Sequence, residues 1–449
     1  MRIRSKIETA AVFLALSCVF AAGGVSAQST CDAVANQVLV DVANPADIPA
    51  VATQYGLNAA PIDQVGSPAT YRFQLATGNS QTPCQVATAM QGDLRITKAE
   101  VNRRLYAVER EGLAWTIGRS WAIGRSWAIG SSSKGYTSQY FPGLIRLKQA
   151  HEINRGTRTD NGRPVVVAVL DTGIDPDHPA FAGRLVPGYD FVDNDGDPRE
   201  VGVLRQDPVY GHGTHVAGIV ALTAPEARIM PIRILDRNGE GELWRVAAAI
   251  IWAANHGADV INISFAYPNE PRLLKNLLHN CDVPPPGTQL FPELNGNKLI
   301  VVAGAGNGGD SDPLYPAGTR IDPQLSIGAS TRLDKLAVFS TMSTRDDRSI
   351  RAVAPGEDVI STMPGGRYGL WSGTSMSAPI GAGVAAILHA QFPALAPHEI
   401  VDRIVENGFD WDCRNFVVRP YEWRTSRVDA LCAMNGVPCE GGPSACSLQ

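Results

Sequence analysis

Four short segments carry residue types that together can cleave an acyl bond. VVVAVLDTGID contains Asp171, GHGTHVAG contains His212, VVAGAGN contains Asn307 and SGTSMSAP contains Ser375. A serine hydroxyl is a weak nucleophile and needs an adjacent base. His212 is the candidate base, taking the Ser375 proton and later returning it to a leaving amine. Asp171 is the candidate orienting acid, which fixes the imidazole tautomer and stabilises the imidazolium. Asn307 brings a side-chain amide to the developing oxyanion, a donor that contributes about 10²–10³ in turnover. Each segment alone has a bland meaning. An aspartate after an apolar run caps a helix, His-Gly-Thr-His packs or binds a metal, and Gly-Thr-Ser recurs by chance. All of them in one chain, in the order Asp, His, Ser, point to nucleophilic hydrolysis. His215, three residues past the base, reads as a packed helix residue.

These residues need elements that hold them at one edge. PVVVAVLD (164–171) is a continuous apolar run ending at the acid, the pattern of a strand buried on both faces. LIVVAGAGN has the same pattern and ends at Asn307. HGTHVAGIVAL opens a helix at His212, with Gly211 leaving room before it. Ser375 opens the helix SMSAPIGAGVAAILHAQ, so its N–H points outward at the positive end of the helix dipole. In open α/β sheets, sites gather at the carboxyl ends of parallel strands. The expected fold class is α/β, a parallel sheet flanked by helices.

These segments resemble the subtilisin-like serine proteases, the subtilase family. The resemblance runs from about residue 143 to about residue 430 and includes ARIMPIRILD, WAANHGADVINIS and VAPGEDVISTMPGG. It implies a secreted endopeptidase with Asp171, His212 and Ser375 as its triad and Asn307 as its oxyanion residue. It also implies that Ser264, Phe265 and Ala266 pair with substrate backbone, where the family usually has Ser-Leu-Gly-Gly. Gly304, Ala305 and Gly306 would form the opposite wall of the pocket for the side chain before the cut. Phe265 and these small residues offer no charge, so an apolar side chain is expected there. A proline-rich insertion (284–286) holding Cys281 nearby separates the two walls. Ile380 stands where a histidine often follows the motif proline.

Asp190, Asp193, Asp195 and Asp197 in GYDFVDNDGDP form a second constellation. Closely spaced carboxylates with a glycine turn suit a hard, oxygen-seeking cation; otherwise they make a solvated acidic turn. The segment resembles the calcium-binding loop of thermitase-like subtilases, which implies a structural Ca²⁺. A different calcium site common in the family lacks its aspartate, replaced by Ala180, and its loop after the His212 helix.

The chain has 449 residues, 44% apolar and 18% charged, and a net charge of -5. Its length suggests two or three units, and its charge argues against nucleic acid as a partner. No internal stretch is long and apolar enough to span a membrane. Residues 1–27 read as a signal peptide: Arg2, Arg4 and Lys6, then an apolar run, then Val25-Ser26-Ala27. A lipoprotein signal centred on Cys18 is the alternative. Export permits disulfides. Cys31 and Cys84 are a candidate pair, Cys413, Cys432, Cys439 and Cys446 have room for two bridges, and Cys281 is the expected free thiol.

Residues 28–110 read as a small α+β domain: strand QVLVDV, helix PADIPAVATQYG, strand TYRFQL, helix CQVATAMQG and strand RITKAEVNRRLYAV. The order resembles subtilase propeptides, which implies an intramolecular inhibitor; an unrelated module is the alternative. Residues 111–139 form a linker with the repeat WTIGRS, WAIGRS, WAIG. Its even period puts Trp115, Trp121 and Trp127 on one face of an extended chain, either as an edge strand packed on its neighbour or as an aromatic binding strip. Residues 140–431 are the expected catalytic domain and 432–449 a cysteine-containing tail. The reading is a secreted precursor of a serine endopeptidase acting on proteins or peptides. A dedicated processing protease or transpeptidase on the same fold, and an inactive binding module, are the alternatives.

Overall fold

The apolar runs become strands because alternate side chains find separate cores. In the computed structural model, Val165, Val167 and Val169 face one core while Val166, Ala168 and Leu170 face another. Such two-sided burial is what a parallel sheet requires. The structure describes residues 31–107 and 131–439, apart from 205, 283–290, 295, 297, 313, 343–348 and 411–424. The signal-like segment with Cys18, the tryptophan repeat, the prolines 284–286, Cys413 and Cys446 lie outside the described residues.

The N-terminal sheet comprises β1 (Ala33–Val42), β2 (Asp63–Val65), β3 (Thr70–Gln74) and β4 (Ile96–Ala107). They pair antiparallel in the order β4-β1-β3-β2. Helices Ile48–Gln54 and Pro83–Ala89 contribute to its core, which buries Val38, Val40, Val51, Phe73, Val86 and Met90. Thr82 opens the second helix with a capping box, its hydroxyl accepting from Gln85 N–H while the Gln85 side chain accepts from Thr82 N–H. Cys31 and Cys84 are disulfide-bonded. The predicted strands and helices of this domain are all present; the short β2 carries no sequence pattern of its own.

The larger region follows with β5 (Val166–Asp171), β6 (Tyr189–Asp190), β7 (Arg228–Arg233), β8 (Glu240–Glu242), β9 (Val260–Ile263), β10 (Phe265–Ala266), β11 (Ile300–Gly304), β12 (Gln324–Ser330) and β13 (Ala352–Pro355). β14 (Val359–Met363) and β15 (Arg367–Trp371) form a hairpin, and β16 (Phe409–Asp410) and β17 (Ser426–Arg427) close the edge. The main sheet runs β16-β17-β13-β12-β11-β9-β5-β7-β6 and is parallel except for the β16–β17 pair. Helices His212–Thr223 and Thr374–Gln391 belong to one core, and helices Leu243–Asn255 and Arg272–His279 to the other. The final helix, Ala430–Asn435, packs Ala430, Ala433 and Met434 into the first core. Among the described residues, no helix is long and apolar enough to cross a membrane.

The end of β4 leaves its own sheet and lies between two strands of the larger region. Tyr106 and Ala107 pair antiparallel with Ala266 and Phe265 of β10, while Arg104, Leu105 and Tyr106 pair with β8. The same strand caps two helices whose own N-cap residues, Glu242 and Pro271, make no side-chain cap. Asn102 accepts from Trp244 N–H at 3.0 Å, and Glu100 accepts from Arg272 N–H and Leu273 N–H at 3.1 and 2.9 Å. Such caps satisfy orphan donors of the first turn.

Candidate active site

Parallel strands deliver their carboxyl ends to one edge, and two of the candidate residues lie at or just past such ends. Asp171 ends β5, and Asn307 lies three residues beyond β11. His212 opens its helix behind Gly211, which has φ 90°; a Cβ on Gly211 would lie 2.6 Å from the Met363 methyl. Only glycine combines that backbone with that approach. Gly213 brings the helix down onto β5, since its Cβ would sit 2.2 Å from the Gly173 carbonyl.

Asp171 Oδ1 accepts from His212 Nδ1 at 2.7 Å and from Thr172 N–H at 2.8 Å. Asp171 is 1% exposed and His212 and Ser375 are both 0% exposed, so their interactions act in a low-dielectric setting. The Trp371 ring stands edge-on to His212, with centroids 5.4 Å apart. Ser375 is the second residue of its helix; its hydroxyl donates to the Ser264 carbonyl at 3.3 Å. The Asn307 side-chain oxygen accepts from Thr374 N–H at 2.9 Å and from the Thr374 hydroxyl at 3.1 Å. That anchor ties the amide to the residue before Ser375. His215 is packed, with its ring 5.7 Å from Trp371 and Nε2 3.2 Å from the Gly369 carbonyl. Burial pushes its imidazole down to about 3 and the neighbouring His212 adds to this, so it stays neutral.

The candidate substrate residues divide by environment. Phe265 and Ala266 form β10 and meet β4 through their backbones, while the Phe265 ring is buried against Tyr267. Ser264 bonds back to the Ser375 carbonyl through its hydroxyl at 3.4 Å. Gly304 lies against Thr374, where a Cβ would be 3.1 Å from the Thr374 carbonyl, and Ala305 is wholly buried. Gly306 has φ 114° and packs against Leu314 and Thr341.

The acidic loop is arranged differently. Asp190 is 2% exposed; its Oδ1 accepts from Val192 N–H and Asp193 N–H, and its Oδ2 from Arg233 at 2.5 Å. The same Arg233 nitrogen donates to Asp193. Asp195 accepts from Asp197 N–H, and Asp197 lies 3.4 Å from the Arg199 guanidinium. No three of these four carboxylates bring oxygens within 4.8 Å of one another. Protein cations and backbone donors hold the loop, and in this arrangement the four do not make one cation cage. Among the described residues the compact set of possible ligands is Asp429, Cys432 and Cys439 instead. Those three groups surround the Arg146 guanidinium. Cys281 is a buried free thiol, pushed by burial up to about 12.

Residues 162–421 match the subtilase family. The chain belongs to the subtilase family. This subtilase is 39% identical over 269 residues to a thermophilic serine proteinase of Bacillus sp. (strain AK1), covering 58% of each chain. It is 36% identical over 264 residues to thermitase of Thermoactinomyces vulgaris, covering 56% of this chain and 82% of thermitase. The subtilase therefore spans little more than half the length of the Bacillus proteinase. Fervidolysin from Fervidobacterium pennivorans, a keratinolytic enzyme related to subtilisin, shares the fold. The TM-score is 0.66 at 23% identity, covering 92% of this chain and 63% of fervidolysin.

Sequence reasoning about this subtilase missed four neighbours of the candidate triad. Thr172 and Thr374 sit inside quoted motifs but their hydroxyl contacts are not local patterns. Trp371 arrives on the β14–β15 hairpin, and Glu200 lies outside every motif; neither carries a sequence signal.

Proposed function

We propose that the chain is a secreted serine endopeptidase, made as a precursor, that hydrolyses peptide bonds through an acyl-enzyme at Ser375. The buried 2.7 Å bond between Asp171 and His212 carries this reading. In the cycle, His212 Nε2 takes the Ser375 proton as Oγ attacks the substrate carbonyl carbon. The oxyanion is met by the Ser375 N–H and the Asn307 amide. Collapse breaks the C–N bond, the amine leaves with the His212 proton, and water repeats the sequence on the ester. Asp171 holds the imidazole throughout.

Residues 28–110 act as propeptide and inhibitor in this proposal. The insertion of β4 between β8 and β10 supports it, because β10 directly follows Ser264, whose carbonyl accepts from the Ser375 hydroxyl. Leu105 and Ala107 of this strand are fully buried there. The pocket before the cut takes apolar side chains, walled by Ser264, Phe265 and Ala266 on one side and Gly304, Ala305 and Gly306 on the other. For this loop to take calcium as a structural ion, Asp193, Asp195 and Asp197 must draw together beside Asp190 and Arg233 must release Asp193.

The test is the purified full chain. Wild type should be labelled at Ser375 by a fluorophosphonate, degrade casein to many products and cut itself between about residues 110 and 140. Ser375→Ala should do none of these. No labelling of folded wild type would leave an inactive binding module; labelling with one or two defined products would favour a processing protease or transpeptidase.

A further inference from the structure

We propose that Glu200 is a positioning residue for the Asp171–His212 couple, binding the end of β5 to the start of the His212 helix. This rests on the serine protease reading above. Glu200 Oε1 accepts from the Thr172 hydroxyl at 2.6 Å. Its Oε2 accepts from the Thr214 hydroxyl at 2.9 Å and from Thr214 N–H at 3.3 Å. One carboxylate thus grips the residue after Asp171 and the residue two past His212. Thr172 completes the clamp by accepting from Gly213 N–H at 3.0 Å, and Thr214 by accepting from Asp175 N–H at 2.9 Å.

The backbone around Glu200 is built to reach this place. Its N–H donates to the Ile174 carbonyl at 2.9 Å, and Ile174 N–H donates to Pro198 at 3.0 Å. Gly173, at φ 117°, lets the segment approach, since a Cβ there would lie 2.8 Å from the Arg199 carbonyl. A carboxylate at a helix N-terminus meets orphan N–H groups and the positive end of the dipole.

The clamp also has an electrical consequence. The Thr172 hydroxyl has one proton and two acceptors, Glu200 at 2.6 Å and Asp171 at 3.3 Å. An ionised Glu200 takes it and leaves Asp171 Oδ1 to His212 and to Thr172 N–H. When ionised, Glu200 adds a second negative charge behind the imidazole, which favours the imidazolium formed during attack. Burial pushes the Glu200 carboxyl above its ordinary range, and Asp171 adds to this against the Thr172, Gly211 and Thr214 donors. The titratable groups facing it are Asp171 from β5 and Tyr210 from the loop before the helix. Its neighbour Arg199 turns away to Asp177 and Asp197.

The test compares wild type, Glu200→Gln and Glu200→Ala as full chains. Both variants should lower kcat about tenfold or more while KM stays within about twofold, as expected when geometry rather than binding is lost. Glu200→Gln keeps the shape and removes the charge, so its acid limb of kcat/KM should move about one pH unit lower. In a Ser375→Ala background, the His212 ring signals followed by NMR should titrate lower by the same amount when Glu200→Gln is added. That readout needs no activity, so it separates failure of Glu200 from failure of the protease reading. If Glu200→Ala does not fold, Glu200→Gln decides alone. A folded Glu200→Gln with wild-type kcat, acid limb and His212 titration overturns the proposal, whatever its melting temperature.

Discussion

Asp171 and Asp190 end neighbouring parts of one sheet and are almost equally buried, yet they take different partners. Both stand in register with Arg233: β5 aligns Asp171 with it on one side of β7, and β6 aligns Asp190 with it on the other. Asp190 takes the arginine, at 2.5 Å, and Asp171 takes His212, at 2.7 Å. An arginine stays charged at any working pH, so the Asp190 pair cannot exchange a proton and serves only to hold the loop. A histidine gains and loses its proton near neutrality, so the Asp171 pair can follow a reaction. Burial alone does not mark a candidate catalytic carboxylate; the chemistry of its partner is what sets Asp171 apart.

The largest test of that contrast is Asp171→Asn, which should keep the fold and lower kcat on the order of 10⁴-fold, by favouring the wrong imidazole tautomer. Steady-state kinetics beside an unchanged circular dichroism spectrum checks this; a fall of less than tenfold would remove Asp171 from the orienting role. Arg233→Met should act the opposite way. It strands the buried Asp190 charge and should destabilise the protein by about 3–5 kcal/mol, with kcat near wild type at temperatures where the variant remains folded. Urea unfolding gives the first number and cold assays the second; a large loss of kcat in fully folded protein would mean the two pairs are not separable.

Asn307→Ala should lower kcat about 10²–10³-fold with little change in KM, a range known from subtilisin rather than derived from this chain. An effect confined to KM would take Asn307 out of the oxyanion hole. The smallest effect on catalysis is expected from Asp193→Asn with Asp195→Asn, whose initial rate in the cold should stay within about twofold of wild type, since surface changes rarely reach a buried site. Calcium should raise the wild-type melting temperature and slow autolysis, because a ligand of the folded form alone stabilises it by mass action, and the double variant should respond less. If chelation leaves the wild-type melting temperature unchanged, Arg233 and Arg199 suffice for the loop and calcium has no structural role in it.

Much of the architecture was legible from the chain. The apolar runs before Asp171 and Asn307, the helix at His212 and the helix at Ser375 follow from two-sided burial and from capping, which are local in sequence. The five predicted elements of residues 28–110 follow for the same reason. The neighbours of the candidate groups were not legible. Thr374 clamps Asn307 across 67 residues, Trp371 meets His212 from a distant hairpin, and Glu200 reaches Thr172 across 28 residues from a segment with no motif.

The acidic loop marks the same boundary. Four aspartates in eight residues announce that negative charge must be balanced, but not by what. Sequence by itself determined the order Asp, His, Ser, the α/β class and the residue types for acyl transfer, because motifs and periodicity are properties of adjacent residues. Tertiary structure decided that Arg233 stands on Asp190 and Asp193, that β4 lies between β8 and β10, and that Glu200 joins Thr172 to Thr214. The physical reason is that charge balance and hydrogen bonding depend on separations in space, and those are set only when distant segments pack.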